Sequence, residues 1–371
     1  MKAFNYSMPV EILSGKNIIC DKYEIFGKHG KRAMIITGGS SSKKNGSLSD
    51  VEFALKKSKI DYFIFDEVEE NPSIETVEKA RKLAQRFDVD FIVGIGGGSP
   101  IDAGKAVAIL LANLDMDAKD IFDTPNLNSI PLIAVPTTAG TGTEVTQYAI
   151  LTDHRAKTKR NFNQSVFPKV AFLDASYLMT TPDEVTINTS IDALSHLIEG
   201  YLSSKSNFMS DIFAREGLRL FSEVKDSIKK RAFDFDVREK LLWISTLAGI
   251  VIAQSGTSLP HGMGYALTYN KGLKHGMANG ILLAEYLNCS KSLYKVEDII
   301  NLMRFASIEN FGIYLKSLFG DINLEIDESE LRDYANSMME NKGKLKNHPL
   351  DINFDQMYDI YFQSLKKYII K

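Results

Sequence analysis

The sequence predicts an α/β domain built on a parallel sheet over residues 1–182, followed by an all-helical domain over 183–371. Three observations carry this prediction. The chain has 371 residues, more than one domain usually holds, and its 44% apolar content supplies two cores. The first half alternates continuous apolar runs with helical periodicity. Near residue 181 that alternation stops, and helix-length segments take over.

The strands come first. Ala33 to Thr37, Tyr62 to Phe65, Phe91 to Ile95, Pro131 to Val135 and Val170 to Asp174 are short runs without polar alternation. Strands covered on both faces read this way, as those of a parallel sheet do. After Asn71-Pro72, the residues Ile74, Val77, Ala80 or Arg81, Ala84 and Phe87 fall near helical spacing, giving strand, helix, strand. Thr181-Pro182-Asp183-Glu184 reads as an N-cap, a proline at the first helical position and an acid closing a capping box. Beyond it, Asp236 to Gln254 and Phe354 to Ile369 are helix-length, and no succession of strands follows.

The totals exclude several classes. A net charge of −3 gives no electrostatic reason for a nucleic acid or an anionic membrane as partner. The opening MKAFNYSMPVEIL lacks the apolar stretch of a secretory leader, and no run approaches the ~18 apolar residues of a membrane span. Cys20 and Cys289 stand far apart in no metal-binding pattern, which suits a reducing cytoplasm. Both are expected to be buried small apolar residues.

Three loops at strand ends hold the first candidate chemistry. After the Phe91 to Ile95 run comes Gly96-Gly97-Gly98-Ser99-Pro100-Ile101-Asp102-Ala103-Gly104-Lys105. Glycines let the backbone approach a ligand, and a helix start offers N–H groups to a pyrophosphate. The fingerprint for dinucleotides is imperfect, because Ser99 stands where its third glycine belongs. A tight turn without a ligand would read the same. Pro136 to Thr146, with Thr137, Thr138, Gly140, Thr141 and Gly142, also follows a strand and offers hydroxyls to a ribose or carboxamide. Two such loops on one sheet favour a ligand, since ligands sit at the carboxyl ends of parallel strands. The third loop, Thr37-Gly38-Gly39-Ser40-Ser41-Ser42-Lys43-Lys44, has no acid before Asp50 to hold ribose hydroxyls. Its serines and lysines suit a 2′-phosphate instead.

A second candidate lies in the helical half. Of six histidines, His196 stands four residues after Asp192, on a helical stretch whose apolar face runs through Ile187, Ile191, Leu194 and Ile198. The pair therefore shares one side of the helix. Such a pair is also common without a metal. His261 and His275 each precede a glycine, and together the four residues form an N3O set for iron(II) or zinc.

GGGSPIDAGK (Gly96 to Lys105), PTTAGTGTEVT (Pro136 to Thr146), Ile191 to His196 with Glu199-Gly200-Tyr201, His261-Gly262-Met263-Gly264 and Lys274-His275-Gly276 occur in one order. From about Met8 to its C-terminus the chain resembles the iron-containing (group III) alcohol dehydrogenases. The resemblance implies the dehydroquinate synthase-like fold, a nicotinamide cofactor on the first domain and a metal in the second. By matching positions it makes Asp192, His196, His261 and His275 the ligands of Fe(2+) or Zn(2+). It places pyrophosphate on Gly96, Gly97, Gly98 and Ser99 with Asp102 alongside. Thr137, Thr138, Thr141, Asn71 and Lys159 line the cofactor. Relatives that prefer NAD carry aspartate at the position of Gly38; Gly38, Gly39, Ser40, Ser41 and Lys43 resemble the NADP(H)-using members instead. Many relatives place a further histidine where this chain has Tyr265, so a proton relay there is not implied. The implied activity is hydride transfer between NADP(H), rather than NAD(H), and a small primary alcohol or aldehyde. A homodimer is the family expectation. Competing readings are a glycerol dehydrogenase or a dehydroquinate synthase-like zinc enzyme on the same fold, and a non-catalytic metal- or nucleotide-binding protein. The Asp-His-His-His set favours the alcohol dehydrogenases over the first, and the loss of no ligand disfavours the second.

Overall fold

The computed structural model describes residues 3–155, 158–162 and 164–368. The chain folds as two units, one covering Ser7–Thr181 and the other beginning at Pro182 and taking in the first residues up to Tyr6. The expected division is corrected at both ends: residues 3–6 and Pro182 go with the helical unit. There the Tyr6 ring stacks on Phe213 at 5.9 Å.

The first unit carries a six-stranded sheet of β1 (Glu11–Ser14), β2 (Arg32–Thr37), β3 (Asp61–Phe65), β4 (Phe91–Gly96), β5 (Leu132–Pro136) and β8 (Val170–Leu173). All pairings are parallel, in the order β1-β8-β5-β4-β2-β3. β6 (Ile150–Asp153) and β7 (Thr158–Asn161) form a separate antiparallel hairpin. The five apolar runs are the five strands from β2 to β5 and β8, because β4, β5 and β8 are buried along their whole length. From β2 the chain turns outward to β3 and then returns to the other side of β2 as β4, so the order reverses there. Register sets Thr37 beside Ile95 and Gly96 beside Pro136, which brings the three loops to one edge of the sheet.

The helix Ile74–Gln85 follows Ser73, whose side chain accepts from the Thr76 N–H. The helix Gly98–Ala112 packs closely on the sheet: a Cβ on Gly104 would meet Leu132 at 2.8 Å. Gly104 thus supplies the close approach that Ser99 does not.

All named strands among the described residues precede Asp174. The helical unit opens with Asp183–Leu202, followed by Phe208–Lys230, Phe235–Ser255, Leu259–Lys271 and His275–Gly280. Pro182, not Thr181, occupies the N-cap, and no side chain caps that end. Thr181 instead donates its hydroxyl to the Thr137 carbonyl at 3.4 Å, so the expected capping box is absent. Ile187, Ile191, Leu194 and Ile198 are all buried, as their spacing requires. The helix expected over Phe354 to Ile369 runs Phe354–Leu365; Ile369 lies outside the described residues. Cys20 and Cys289 are unbridged and half-buried rather than buried. No single helix among the described residues is long and apolar enough to cross a membrane.

Candidate metal centre and dinucleotide loops

The helical unit brings Asp192, His261 and His275 together, with one ligand atom of each within 4.8 Å of the others. Asp192 Oδ1 lies 3.5 Å from His261 Nε2 and 3.6 Å from His275 Nε2. His196, one turn after Asp192, is not part of that convergent triplet; its ring stacks on His261 with centroids 4.4 Å apart. Asp192, His196 and His261 are buried, whereas the His275 side chain remains 33% exposed and is the open side of the cluster.

Small residues make this convergence possible. A Cβ on Gly276 would lie 1.8 Å from the Asn188 carbonyl, so only glycine lets the His275–Gly280 helix cross Asp183–Leu202 so closely. A Cβ on Gly262 would meet Met338 Sδ at 2.6 Å and Lys344 Cγ at 3.1 Å. The glycine after His275 is therefore a packing requirement of the site, whereas the one after His261 meets the flexible Met338 and Lys344 side chains.

Behind the cluster stands Glu199, fully enclosed. Its carboxylate lies 2.5 Å from His261 Nδ1 and accepts from the Ser195 hydroxyl at 2.6 Å and the Ser258 N–H at 2.7 Å. With Nδ1–H directed at Glu199, His261 turns the lone pair of Nε2 toward Asp192. Nε2 is buried with no hydrogen-bond partner. A lone pair facing a carboxylate oxygen is repulsive unless a proton or a cation stands between them. Two imidazoles and a carboxylate so placed are a donor set suited to iron(II) or zinc, so the residues fit the implied metal. Asn279 supports two of them: its Nδ2 lies 3.1 Å from Asp192 Oδ1 and 3.2 Å from His275 Nε2.

The electrostatics agree. Burial would raise the Asp192 carboxyl, but His196, His275 and His261 outweigh it and hold the group well below the usual range. Burial would lower His261, but Glu199 and Asp192 raise it to about 9. A cation taken up by this cluster would have to displace a proton that Glu199 and Asp192 favour on His261, so its affinity is expected to rise with pH through the neutral range. Calorimetric titration with zinc at pH 7.5 in two buffers of different ionisation heat should show release of this proton. Glu199→Gln removes the main raising partner and should diminish the release; equal release in both proteins contradicts the assignment.

In the α/β unit, Gly97 and Gly98 abut the hydroxyl-rich loop: a Cβ on Gly97 would meet Thr138 Oγ1 at 3.0 Å, and one on Gly98 would meet Thr141 Cγ2 at 2.9 Å. Gly96, at φ 149, has a backbone that only glycine adopts readily. Its carbonyl accepts from the Thr137 N–H at 2.8 Å. Ser99 Oγ accepts from the Asn71 N–H at 3.1 Å, and Asn71 Oδ1 accepts from Lys159 Nζ at 2.8 Å. The structure therefore groups Ser99, Asn71 and Lys159 beside the helix N-terminus.

Asp102, expected alongside the pyrophosphate, is held from within the unit. It is buried, and both oxygens are engaged, by the Thr143 hydroxyl at 2.6 Å and the Ile150 N–H at 2.9 Å. Lys105, wholly buried, donates to the Thr143 carbonyl and hydroxyl at 2.8 and 2.7 Å and to the Tyr148 carbonyl at 2.6 Å. Burial pushes Lys105 down to about 8 against the opposing pull of Asp102 and Glu144. The pair braces the threonine loop from beneath.

On the third loop Gly39, Ser40, Ser41 and Lys43 are exposed and Gly38 is half-buried. Ser42 is turned inward to accept from the Thr37 hydroxyl at 2.8 Å. An acid is in fact at hand: Asp66, from the loop after β3, pairs with Lys43 at 2.5 Å. Reading along the chain misses it because it arrives from the neighbouring strand.

Comparison with known proteins follows the same division. The iron-containing alcohol dehydrogenase model matches residues 9–175, and that for the C-terminal region of the Fe-containing alcohol dehydrogenase family matches residues 186–365. The chain belongs to the iron-containing alcohol dehydrogenases. Among relatives of this family, the NADPH-dependent butanol dehydrogenase of Clostridium saccharobutylicum is 30% identical over 381 residues, 96% of each chain. The 1,3-propanediol dehydrogenase of Klebsiella pneumoniae is 30% identical over 81% of this chain and 80% of its own. The crystal structure of an iron-containing alcohol dehydrogenase from Thermotoga maritima superposes with a TM-score of 0.90 at 39% identity, covering 98% of this chain and 100% of that one. The parallel sheet followed by a helical half is thus the architecture of iron-containing alcohol dehydrogenases, and the chain is an NAD(P)-dependent enzyme of that kind.

Proposed function

We propose that the protein interconverts a small primary alcohol and its aldehyde with NADP(H), using iron(II) or zinc held by Asp192, His196, His261 and His275. The observation that carries this reading is the convergence of Asp192, His261 and His275, with His261 fixed from behind by Glu199 at 2.5 Å. A cation bound there supplies Lewis acidity to the substrate oxygen. Glu199 sets the His261 tautomer, and Asn279 keeps Asp192 and His275 in register. Gly96, Gly97, Gly98 and Ser99, with Asn71 and Lys159, take the pyrophosphate side of the cofactor. Thr137, Thr138 and Thr141 offer polar groups farther along it, and Asp102 with Lys105 keeps their loop in place.

Lys43 and the exposed serines of the third loop are assigned to the 2′-phosphate. The Lys43–Asp66 pair is about half exposed, and such pairs contribute about 0–1 kcal/mol, so a phosphate exchanges for the carboxylate at small cost. The NADPH dependence stated for the Clostridium saccharobutylicum relative points the same way. A cytoplasmic homodimer completes the reading, by family expectation.

The test follows nicotinamide absorbance with butanal. Protein stripped by chelation should be inactive, and anaerobic iron(II) or zinc should restore turnover. NADPH should exceed NADH at least tenfold in kcat/KM. No oxidation of either cofactor by any small aldehyde, in metal-loaded protein, would refute the activity; a preference for NADH would refute the cofactor assignment alone.

A further inference from the structure

Lys344 is the side chain near the metal centre that the reading above leaves unused. It sits on the short helix Lys342–Asn347, whose start is held by Asn341 Oδ1 accepting from the Lys344 N–H at 3.1 Å. Its stem lies against Gly262, next to His261, where an added Cβ would stand 3.1 Å from Lys344 Cγ. The stem thus carries the ammonium inward to the Thr257 hydroxyl and to the face of the Tyr265 ring, 5.7 Å from its centre. That same ring stacks on His275, 5.6 Å away and 11° from parallel. The ammonium and the exposed histidine of the cluster thus both pack on one aromatic ring.

The protein does not neutralise this charge as it does its other inward lysines. Lys105 is surrounded by acceptors, and Lys295 meets both oxygens of Asp211 at 2.9 and 2.7 Å. Among the described residues Lys344 has one hydrogen-bond acceptor, Thr257, and no ion-pair partner. Burial pushes the ammonium down to about 8 and Glu199 opposes this from a distance, so it is still charged at neutral pH, but that carboxylate is committed to His261, Ser195 and Ser258. With a divalent cation in the cluster, Asp192 and Glu199 offset its two charges, and the ammonium remains as an uncompensated positive charge. A half-buried ammonium with spare donors is costly unless an anion pairs with it. The cluster is open on the side of His275, whose side chain is 33% exposed, and substrate reaches it from there.

We propose that Lys344 is a specificity-determining residue that selects substrates bearing a carboxylate at the end remote from the reacting carbon, namely short ω-oxo and ω-hydroxy acids. This rests on the dehydrogenase reading above and names its substrate class. In the reductive direction the aldehyde carbon takes hydride from NADPH and the oxygen takes a proton, yielding the ω-hydroxy acid and NADP+. The ammonium pairs with the carboxylate and takes no part in the transfer.

The experiment compares kcat/KM of metal-loaded protein for butanal and for glyoxylate, malonate semialdehyde and succinate semialdehyde. One semialdehyde should exceed butanal at least tenfold. In Lys344→Met, and in Lys344→Gln should the first fail to fold, that ratio should fall tenfold or more, with Lys344→Arg restoring part of it. Lys346→Met, exposed on the same helix, is the control and should leave the ratio unchanged. Calorimetry with succinate, which cannot react, should show binding to the parent protein and at least tenfold weaker binding to Lys344→Met. Turnover of butanal with a ratio insensitive to Lys344 would overturn this proposal and leave the dehydrogenase reading intact. Failure on every aldehyde would instead overturn the dehydrogenase reading, and succinate binding would then decide the role of Lys344 alone.

Discussion

His261→Ala should lose the cation and turnover together while NADPH binding largely survives. His261 is the hub of the cluster: its Nε2 faces Asp192 at 3.5 Å and its ring stacks on His196. On its other edge Nδ1 meets Glu199 at 2.5 Å. Removing the imidazole deletes a donor and leaves Glu199 as an enclosed carboxylate facing a void. Losing a supporting partner of a ligand typically costs about 10–100-fold in affinity, and losing the ligand itself should cost more. The residues assigned to the cofactor all belong to the other unit, so NADPH binding, read by fluorescence quenching, is expected within a few-fold of the parent. Metal content after dialysis and single-turnover rates complete the measurement. A variant that retained one cation per chain and normal turnover would remove the metal assignment.

Asp102→Ala should destabilise the α/β unit more than any change in its exposed loops. The Thr143 hydroxyl donates to Asp102 and accepts from Lys105, so the two charges meet through one hydroxyl inside the fold. Deleting Asp102 leaves the buried Lys105 ammonium only neutral acceptors and the more distant Glu144, and breaking a buried charge pair costs about 3–5 kcal/mol. For a unit of this size about 2–4 °C accompanies each kcal/mol, so its calorimetric transition should drop by roughly 6–20 °C. The double variant Asp102→Leu with Lys105→Met removes both charges and should recover much of the loss. A single variant within about 1 kcal/mol of the parent would show that the pair is not a brace, since such a small change is typical of surface positions. The hydroxyls of Thr138 and Thr141, in contact with the glycine loop, should become less well placed in Asp102→Ala, raising KM for NADPH.

The parts of the fold legible in the sequence are those where one physical rule dominates. β4 and β5 are covered on both faces, so no polar residue interrupts them. β1 escaped because it is an edge strand of four residues with both ends exposed, and EILS carries no pattern. The convergent Asp192, His261 and His275 were legible as residue types, since Asp192 stands one turn before His196 and the other two histidines each bring a glycine. Their supports were not. Glu199 lies one turn beyond Ser195 and would pass for a surface acid; only the arrival of His261 from another helix shows what it holds. The bracing part of Asp102 was hidden for a related reason: it stands near the glycine loop along the chain, but its partners Thr143 and Ile150 come from segments more than forty residues on. Lys344 lies in the polar stretch Glu340 to His348, which gives no hint that one of its lysines reaches an aromatic ring beside a metal ligand.

Every residue of the cation cage, together with its braces Glu199 and Asn279, comes from the C-terminal unit. On the proposed reading, loading with metal and loading with dinucleotide draw on different units and are expected to be separable. The C-terminal half alone gains stability by mass action as the cation is taken up. On that reading, a protein short of the cation forgoes stabilisation in its helical unit and not in the sheet unit.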